Sequence, residues 1–178
     1  MKKPILSIIG PNKSLCSKEQ ANFAAQGGQL AIELGYRVMT GGDEGVMEAA
    51  IRGAKSARGY VSGDTIALTR FADLKTQLKD TKHSTAADIV LHTGLGHARN
   101  LLMARGDVVL AIGGGAGTLS EIALAWTFER PIIAWKTKGW SGAIAGKTID
   151  KRRPDEVVFS VSSVAELRRH LIALRKRR

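Results

Sequence analysis

Short apolar runs alternate with amphipathic segments along most of the chain. Several runs are rich in Val or Ile and end at glycine, as ILSIIG does at residues 5–10, which is typical of buried strands. The predicted strands are residues 5–10, 36–42, 64–68, 88–93, 107–114, 130–135 and 156–159, and the predicted helices are residues 19–35, 44–55, 96–106, 117–129 and 163–178. Strands that are apolar on both faces and alternate with helices predict a parallel sheet covered on both sides. The predicted fold class is therefore α/β: a single Rossmann-like, doubly wound domain over residues 1–178 with a mainly parallel sheet.

Three further features of the sequence bear on these predicted elements. Ser17 and Gln20 have the spacing of a capping box, which fixes the start of the first helix. Gly27 and Gly28 lie in the middle of the same helix, where glycine lowers helix propensity but permits close packing. Residues 69–87 have no strong period, so we predict a mobile loop or a short helix near the ligand.

Three glycine-bearing turns each follow a predicted strand. They are Gly10-Pro11-Asn12, Gly41-Gly42 and the run from Gly113 to Gly117. In a parallel sheet such turns open on one edge, where ligands of doubly wound folds bind. Glycine lets a ligand approach the backbone, and the free N–H groups at the start of the next helix favour an anion. The third turn, which is neither a P-loop nor a complete G-x-G-x-x-G, is therefore the predicted phosphate site.

Polar residues one strand earlier extend this site. Arg99 follows His97 near the start of the predicted helix 96–106 and precedes Asn100. The planar guanidinium of Arg99 can bind a phosphate bidentately. Its predicted helix directly precedes the strand that leads into the glycine run. We predict that Arg99 and Asn100 contact the ligand; the alternatives are a surface position for Arg99 and hydrogen bonds within the protein for Asn100.

Carboxylates near the glycine turns have two readings. Glu121 stands three residues after Thr118, so it is either a capping-box residue or a carboxylate that acts on the ligand. Asp43 and Glu44 follow the second glycine turn, where they either cap the next helix or hydrogen-bond an edge of the ligand. The local residues leave both choices open.

Composition and charge narrow the classes of protein. The chain has 178 residues, one cysteine and a formal net charge of +11. The single Cys16 cannot form an intramolecular disulfide, and no apolar stretch reaches the roughly 20 residues that a membrane crossing needs, so we expect a cytoplasmic protein. The basic C-terminal helix, about residues 163–178, either attracts nucleic acid or complements its own dipole.

The joint pattern of these residues resembles a known superfamily. ARNLLMARGDVVLAIGGGAGTLSEIALAWTFERPIIAW, with GYRVMTGGDEGVMEAAIRGA before it, is similar to the proteins once mislabelled lysine decarboxylases. That superfamily includes the LONELY GUY cytokinin-activating phosphoribohydrolases and the molybdenum cofactor carrier proteins. The resemblance spans roughly residues 5–135, and it rests on R-N followed by G-G-x-G-T-x-x-E.

The resemblance implies roles for particular residues. In the LONELY GUY enzymes the arginine and glutamate act at the ribose of a nucleoside 5′-monophosphate, and the glycines and threonine hold its phosphate. Arg99 and Glu121 are therefore catalytic if the protein is an enzyme, but Asn100 replaces that branch's lysine and Gly113 its proline. The residues predicted to bind the ligand are Gly10, Pro11, Asn12, Gly41, Gly42, Arg99, Asn100, Gly113, Gly114, Gly115, Gly117, Thr118 and Glu121.

Three functions remain open from the sequence. The favoured one is a carrier or sensor of a phosphorylated pterin or nucleotide, with the molybdenum cofactor or a nucleoside monophosphate as ligand, and with no required cofactor or metal. The alternative is a nucleoside 5′-monophosphate phosphoribohydrolase. Nucleic-acid binding through the basic C-terminus ranks third because only 5% of residues are aromatic and no nucleic-acid motif is present. The resemblance also implies a homodimer or a tetramer of dimers.

Overall fold

The computed structural model describes residues 2–79 and 86–176. These residues form one sheet of seven strands in the order β4-β3-β2-β1-β5-β6-β7, with every neighbouring pair parallel. The strands are β1 (Ile5–Ile9), β2 (Arg37–Thr40), β3 (Thr65–Thr69), β4 (Ile89–His92), β5 (Val108–Ile112), β6 (Ile132–Trp135) and β7 (Phe159–Val161). The predicted α/β, Rossmann-like fold is confirmed, and the sheet is wholly parallel in the described residues.

Helices connect the strands. They are α1 (Lys18–Glu33), α2 (Val46–Lys55), α3 (Leu74–Leu78), α4 (Asn100–Met103), α5 (Ala116–Thr127), α6 (Trp140–Ile144) and α7 (Val164–Lys176), with a 3-10 helix at Gly96–Arg99 that leads directly into α4. No helix formed by the described residues has the length and apolar character that a membrane crossing requires.

Alternation along the central strands divides the core into two layers. In β5, Val108, Leu110 and Ile112 face one layer, whereas Val109 and Ala111 face the other. The first layer is closed by apolar residues of α1, α2 and α7, and the second by α4 and α5. A strand covered on both faces must be apolar at every position, which explains the continuous runs in the sequence.

Close packing of α1 against α2 depends on glycine. A Cβ on Gly28 would collide with the carbonyl oxygen of Ala50, and one on Gly53 with that of Ala25. The backbones therefore approach more closely than any larger residue allows. Gly28 is tolerated in α1 for this reason, whereas Gly27 packs against Leu110 of β5. The capping box predicted at Ser17 and Gln20 is present.

Several predicted boundaries differ from the structure. The strand predicted at 156–159 lies at Phe159–Val161, and the helix predicted at 96–106 is a 3-10 turn followed by the short α4. Within the predicted loop 69–87, α3 forms a short helix, and residues 80–85 lie outside the described residues. Helix α6 was not predicted, because Gly139 and Gly142 flank and interrupt its only apolar residues.

The chain order of the strands positions the site. Strand β1 has β2 on one side and β5 on the other, so the connections after β1 and β5 depart toward opposite faces of the sheet. Such a reversal leaves a crevice beyond the carboxyl ends of these two strands. The glycine turns after β1, β2 and β5 all meet there, as predicted.

Candidate functional site

A cavity of about 260 Å³ lies in this crevice, and we call it the carboxyl-edge cavity. His97 lines it, and so do ten of the thirteen residues predicted to bind a ligand. They are Gly10, Pro11, Asn12, Gly41, Arg99, Asn100, Gly115, Gly117, Thr118 and Glu121. The cavity is also lined by residues that the sequence did not assign to it, namely Ile8, Ile9, Leu15, Met47, Arg70 and Ala116. Asp43, for which the sequence left helix capping and ligand binding open, lines it as well.

The start of α5 forms one wall of the carboxyl-edge cavity. Gly115 is the N-cap residue, and no side chain caps this helix end. A Cβ on Gly115 or on Gly117 would meet no atom within 4 Å, so space is open on the cavity side of this turn. The first N–H groups of a helix have no partner within the helix. Here they face an open cavity, which is the arrangement that binds anions.

Three predicted residues do not line the cavity. Gly113 and Gly114 have φ of +61° and +89°, a region that favours glycine. They hold α6, because the N–H of Ser141 donates to the Gly113 oxygen and the N–H of Trp140 donates to the Gly114 oxygen, each at 3.0 Å. Gly42 has φ of +77° and packs against Thr69 instead. These glycines shape the turns around the cavity.

Asp43 lies between two arginines. Nη1 of Arg70 is 3.2 and 3.1 Å from its two carboxylate oxygens, and Nη2 of Arg99 is 3.4 Å from Oδ2. Helix α2 has Gly45 as its N-cap residue without a side-chain bond, so Asp43 does not cap it. Glu44 points elsewhere and pairs with Lys13 at 3.1 Å. The carboxylate of Asp43 therefore neutralises cations in the wall of the cavity.

Arg99 is buried and mostly committed to the protein. Its Nη1 donates to the carbonyl oxygens of Gly41, which directly follows β2, and at 2.9 Å of Leu68, which lies within β3. With the contact to Asp43, these bonds leave Nε–H and one Nη2 hydrogen without an acceptor among the described residues. Arg99 thus joins two strand ends and keeps part of its donor set for a ligand.

Asn100 connects the two sides of the crevice. Its Nδ2 donates to Oγ of Ser120 at 2.7 Å, and Ser120 in turn donates to the Gly117 oxygen at 2.7 Å. Asn100 therefore fixes the first turn of α5 while one face of its side chain lines the cavity. A lysine could not accept hydrogen bonds at this position, but asparagine offers both donors and acceptors.

Glu121 is the most unusual group in the carboxyl-edge cavity. Because α5 begins at Ala116, Glu121 lies in its second turn and cannot close a capping box with Thr118. The residue is only 8% exposed, and its carboxyl group has no hydrogen-bond partner among the described residues. Burial raises the pKa of Glu121 to about 7, with the charge of Arg99 lowering it and that of Asp43 raising it. Near neutral pH the group exists in both protonation states.

The sequence contained a signal that could have identified Arg70 as a site residue. It directly follows β3, and the edge rule that identified the glycine turns applies to every residue that follows a strand in a parallel sheet. The apolar wall of Leu15 and Met47 had no comparable signal, since apolar residues in loops and helices are common. Among the described residues no group of His, Cys, Asp and Glu is arranged to hold a metal ion.

Comparison with known proteins relates this geometry to a family. The sequence model of the SLOG cluster4 family matches residues 3–168. An uncharacterized protein from Archaeoglobus fulgidus is 38% identical over 164 residues, covering 92% of this chain and 98% of that one.

Two solved structures are similar over nearly the whole of both chains. The molybdenum cofactor binding protein from Rippkaea orientalis has a TM-score of 0.79 and 32% identity, with 98% of each chain covered. The molybdenum cofactor carrier protein from Chlamydomonas reinhardtii has a TM-score of 0.78 and 29% identity, with 98% of this chain and 99% of that one covered.

Proposed function

This chain belongs to the SLOG cluster4 family, and from that premise we propose that its carboxyl-edge cavity binds a phosphorylated pterin in the manner of a molybdenum cofactor carrier. Two similar structures are a molybdenum cofactor binding protein and a molybdenum cofactor carrier protein, which supports this ligand class. On this proposal the protein holds the cofactor and releases it unchanged.

The observation that carries the proposal is the open first turn of α5. Its N–H groups at Ala116, Gly117 and Thr118 follow an N-cap residue without a side-chain cap, and the adjacent glycines leave the approach clear. A phosphate there accepts hydrogen bonds from the backbone and lies at the positive end of the helix dipole. A terminal phosphate of the pterin therefore fits this turn.

The rest of the cavity suits the ring system of such a ligand. Leu15 and Met47 supply apolar surface, and the free donors of Arg99 supply polar contacts at one side. The carboxyl group of Glu121 accepts a hydrogen bond from a ring N–H when ionised, and can donate one when protonated. Buried polar groups without partners reject ligands that leave them unpaired, so Glu121 provides selectivity.

A charge placed in the first turn of α5 tests the proposal. The φ of Gly115 is −104°, outside the left-handed region, and the space at its Cβ is open, so Gly115→Asp should leave the fold intact. A carboxylate about 4 Å from the phosphate repels it by about 4 kcal/mol at an effective dielectric constant of 20. We expect roughly a thousandfold weaker binding. The measurement is retention, after desalting, of molybdenum cofactor released from a donor molybdoenzyme, with the bound pterin quantified by fluorescence after oxidation.

A matched variant controls for the added charge. Ala165→Asp introduces the same carboxylate in the exposed first turn of α7, which does not line the carboxyl-edge cavity. It should retain the cofactor as the wild type does. Failure of the wild-type protein to retain the cofactor, or equal retention by Gly115→Asp, would contradict the proposal.

The environment of Glu121 favours a second candidate function, a nucleoside 5′-monophosphate phosphoribohydrolase. A buried carboxyl group with a pKa of about 7 next to an arginine has the properties of a general acid or base at neutral pH. Asn100, which stands where the LONELY GUY enzymes have lysine, argues against it. We therefore expect little or no free base when the protein is incubated with AMP. Rapid release by the wild type that is lost in Glu121→Gln would replace the carrier function with the hydrolase.

A further inference from the structure

A second cavity, of about 450 Å³, lies at the opposite edge of the sheet, where the central strands begin. Five cations line this amino-edge cavity, Lys2, Lys3, Arg37, Arg105 and Arg175, beside the carboxylate of Asp107. Lys2 and Lys3 precede β1, and Arg37 begins β2. Arg105 and Asp107 precede β5, and Arg175 lies in the last turn of α7. The fold therefore gathers positive charge from four separate segments.

Two of these cations have a carboxylate partner. Nζ of Lys3 is 2.7 Å from both carboxylate oxygens of Asp64, and Nε of Arg37 is 3.9 Å from Oδ1 of the same residue. The Nε–H of Arg37 is buried and has no hydrogen-bond acceptor. Asp107 accepts a hydrogen bond from the backbone N–H of Ile5 at 2.7 Å. The carboxylates in this region are thus already engaged in holding the strand starts.

The other cations have no carboxylate partner among the described residues. The guanidinium of Arg105 lies over the ring of Phe128, with Cζ 3.9 Å from the ring centroid. The guanidinium of Arg175 lies against Gly35, where a Cβ would be 2.8 Å from Nη2. Lys2 is exposed beside them, and no carboxylate of the described residues pairs with it. Both guanidinium groups therefore lie against uncharged groups of the protein and have no described carboxylate beside them.

Concentrated charge of one sign in a concave surface attracts ligands of the opposite sign. We propose that the amino-edge cavity is a second binding site, for a small molecule that carries two or more linked phosphate groups. The guanidinium fork binds phosphate oxygens bidentately, and several converging cations match several negative charges better than one. The volume is that of a site for one small ligand, and Pro4 and Ile5 offer apolar surface to its uncharged part.

This site is separate from the carboxyl-edge cavity. The two cavities lie at opposite ends of β1, whose five residues span about 13 Å. The inference therefore does not rest on the proposed function, and each can fail alone. Helices α1 and α7 end near the amino edge, so the anion affinity here must come from side chains.

Calorimetric titration with inorganic tripolyphosphate at low ionic strength tests the inference. The double variant Arg105→Gln and Arg175→Gln removes both guanidinium groups that lack a carboxylate partner. We expect binding by the wild type and an affinity lower by about tenfold or more in the double variant. The double variant Arg168→Gln and Arg169→Gln removes the same charge from two exposed arginines of helix α7 that do not line the cavity, and it should change affinity by less than about twofold. Absence of binding by the wild type, or an equal effect of the control, would overturn the proposal.

Two further titrations identify the ligand class. ATP should bind through its phosphates and show the same dependence on Arg105 and Arg175, whereas inorganic phosphate should bind more weakly. If single-stranded DNA binds more tightly than tripolyphosphate and the double variant weakens it equally, the surface binds nucleic acid and the small-molecule assignment is wrong. Gly115→Asp should leave tripolyphosphate binding unchanged, and a loss in that variant would move the anion to the carboxyl-edge cavity.

Discussion

The two cavities at opposite edges of the sheet balance their charges in different ways. In the carboxyl-edge cavity, Arg70 and Arg99 both pair with Asp43, and the carboxyl group of Glu121 is buried beside them. In the amino-edge cavity five cations stand against two carboxylates, that of Asp107 in the lining and that of Asp64, which pairs with Lys3 and Arg37. The first cavity therefore has little net side-chain charge to attract an anion, and the second has a large excess.

The difference follows from the direction of the helices. In a wholly parallel sheet the helices after the strands begin at the carboxyl edge, so backbone N–H groups and dipoles supply positive potential there. At the amino edge the same helices end, and only side chains can bind an anion. Backbone N–H groups select an anion by its shape and position, whereas an affinity that comes from side-chain charge falls more as the salt concentration rises. The same fold thus offers a selective anion site and an electrostatic one.

Removal of Asp43 should have the largest effect on stability. In Asp43→Ala the guanidinium groups of Arg70 and Arg99 lose their shared carboxylate inside the wall of the cavity. Breaking a buried ion pair costs about 3 to 5 kcal/mol of unfolding free energy. Urea denaturation measures the loss.

The neighbouring Glu44→Ala is the matched control for Asp43→Ala. Glu44 pairs with Lys13, whose side chain is 74% exposed, so the loss should stay below about 1 kcal/mol. If both variants lost the same unfolding free energy, the ion pairs of Asp43 would contribute no more than a surface ion pair, contrary to this account.

The titration of Glu121 should make the stability depend on pH. Its pKa is about 7 in the folded protein against an ordinary 4.5, so the folded state binds the proton more tightly than the unfolded chain. This group therefore contributes its full stability below pH 4.5 and loses it as the pH rises toward 7, by about 3 kcal/mol.

Glu121→Gln isolates that effect because glutamine cannot ionise. Across the range from pH 4.5 to about 7, the unfolding free energy of the wild type should fall relative to that of the variant. Parallel curves for the two proteins would mean that the carboxyl group is solvated and is not buried in the wall of the carboxyl-edge cavity.

The smallest effect should come from the ring that supports Arg105. Phe128→Leu keeps most of the apolar volume and removes the face on which the guanidinium lies. A cation–π contact at a partly exposed site is worth about 0.5 to 1 kcal/mol, so tripolyphosphate affinity should fall by about two- to fivefold. Calorimetric titration detects that change, and an unchanged affinity would mean that packing does not position this cation.

The sequence predicted the fold and most of the lining of the carboxyl-edge cavity, because both depend on local patterns. Apolar runs and glycine turns placed Gly10, Gly41 and Gly115 at one edge, and the resemblance to the cofactor carrier branch is confirmed by the family match. The predicted homodimer or tetramer of dimers, the individual ligand contacts and the cytoplasmic location stay predictions.

Other features depend on contacts between distant segments, and no local pattern shows them. Two of the five donors of Arg99 bind the carbonyl oxygens of Gly41 and Leu68, which sequence cannot distinguish from a ligand phosphate. The capping box of Thr118 and Glu121 fits the sequence but fails in the structure, because Gly115 already begins the helix. The amino-edge cavity collects residues as far apart as Lys2 and Arg175, so the net charge alone pointed only to a basic C-terminal helix.

The most direct test of the carboxyl-edge cavity is a crystal structure of the protein with molybdenum cofactor bound. The account predicts that the terminal phosphate lies against the N–H groups of Gly115 to Thr118, at hydrogen-bond distance of about 2.7 to 3.2 Å. It also predicts that the pterin ring lies between Met47 and the carboxyl group of Glu121. A cofactor bound elsewhere, with the first turn of α5 free of phosphate, would contradict the account.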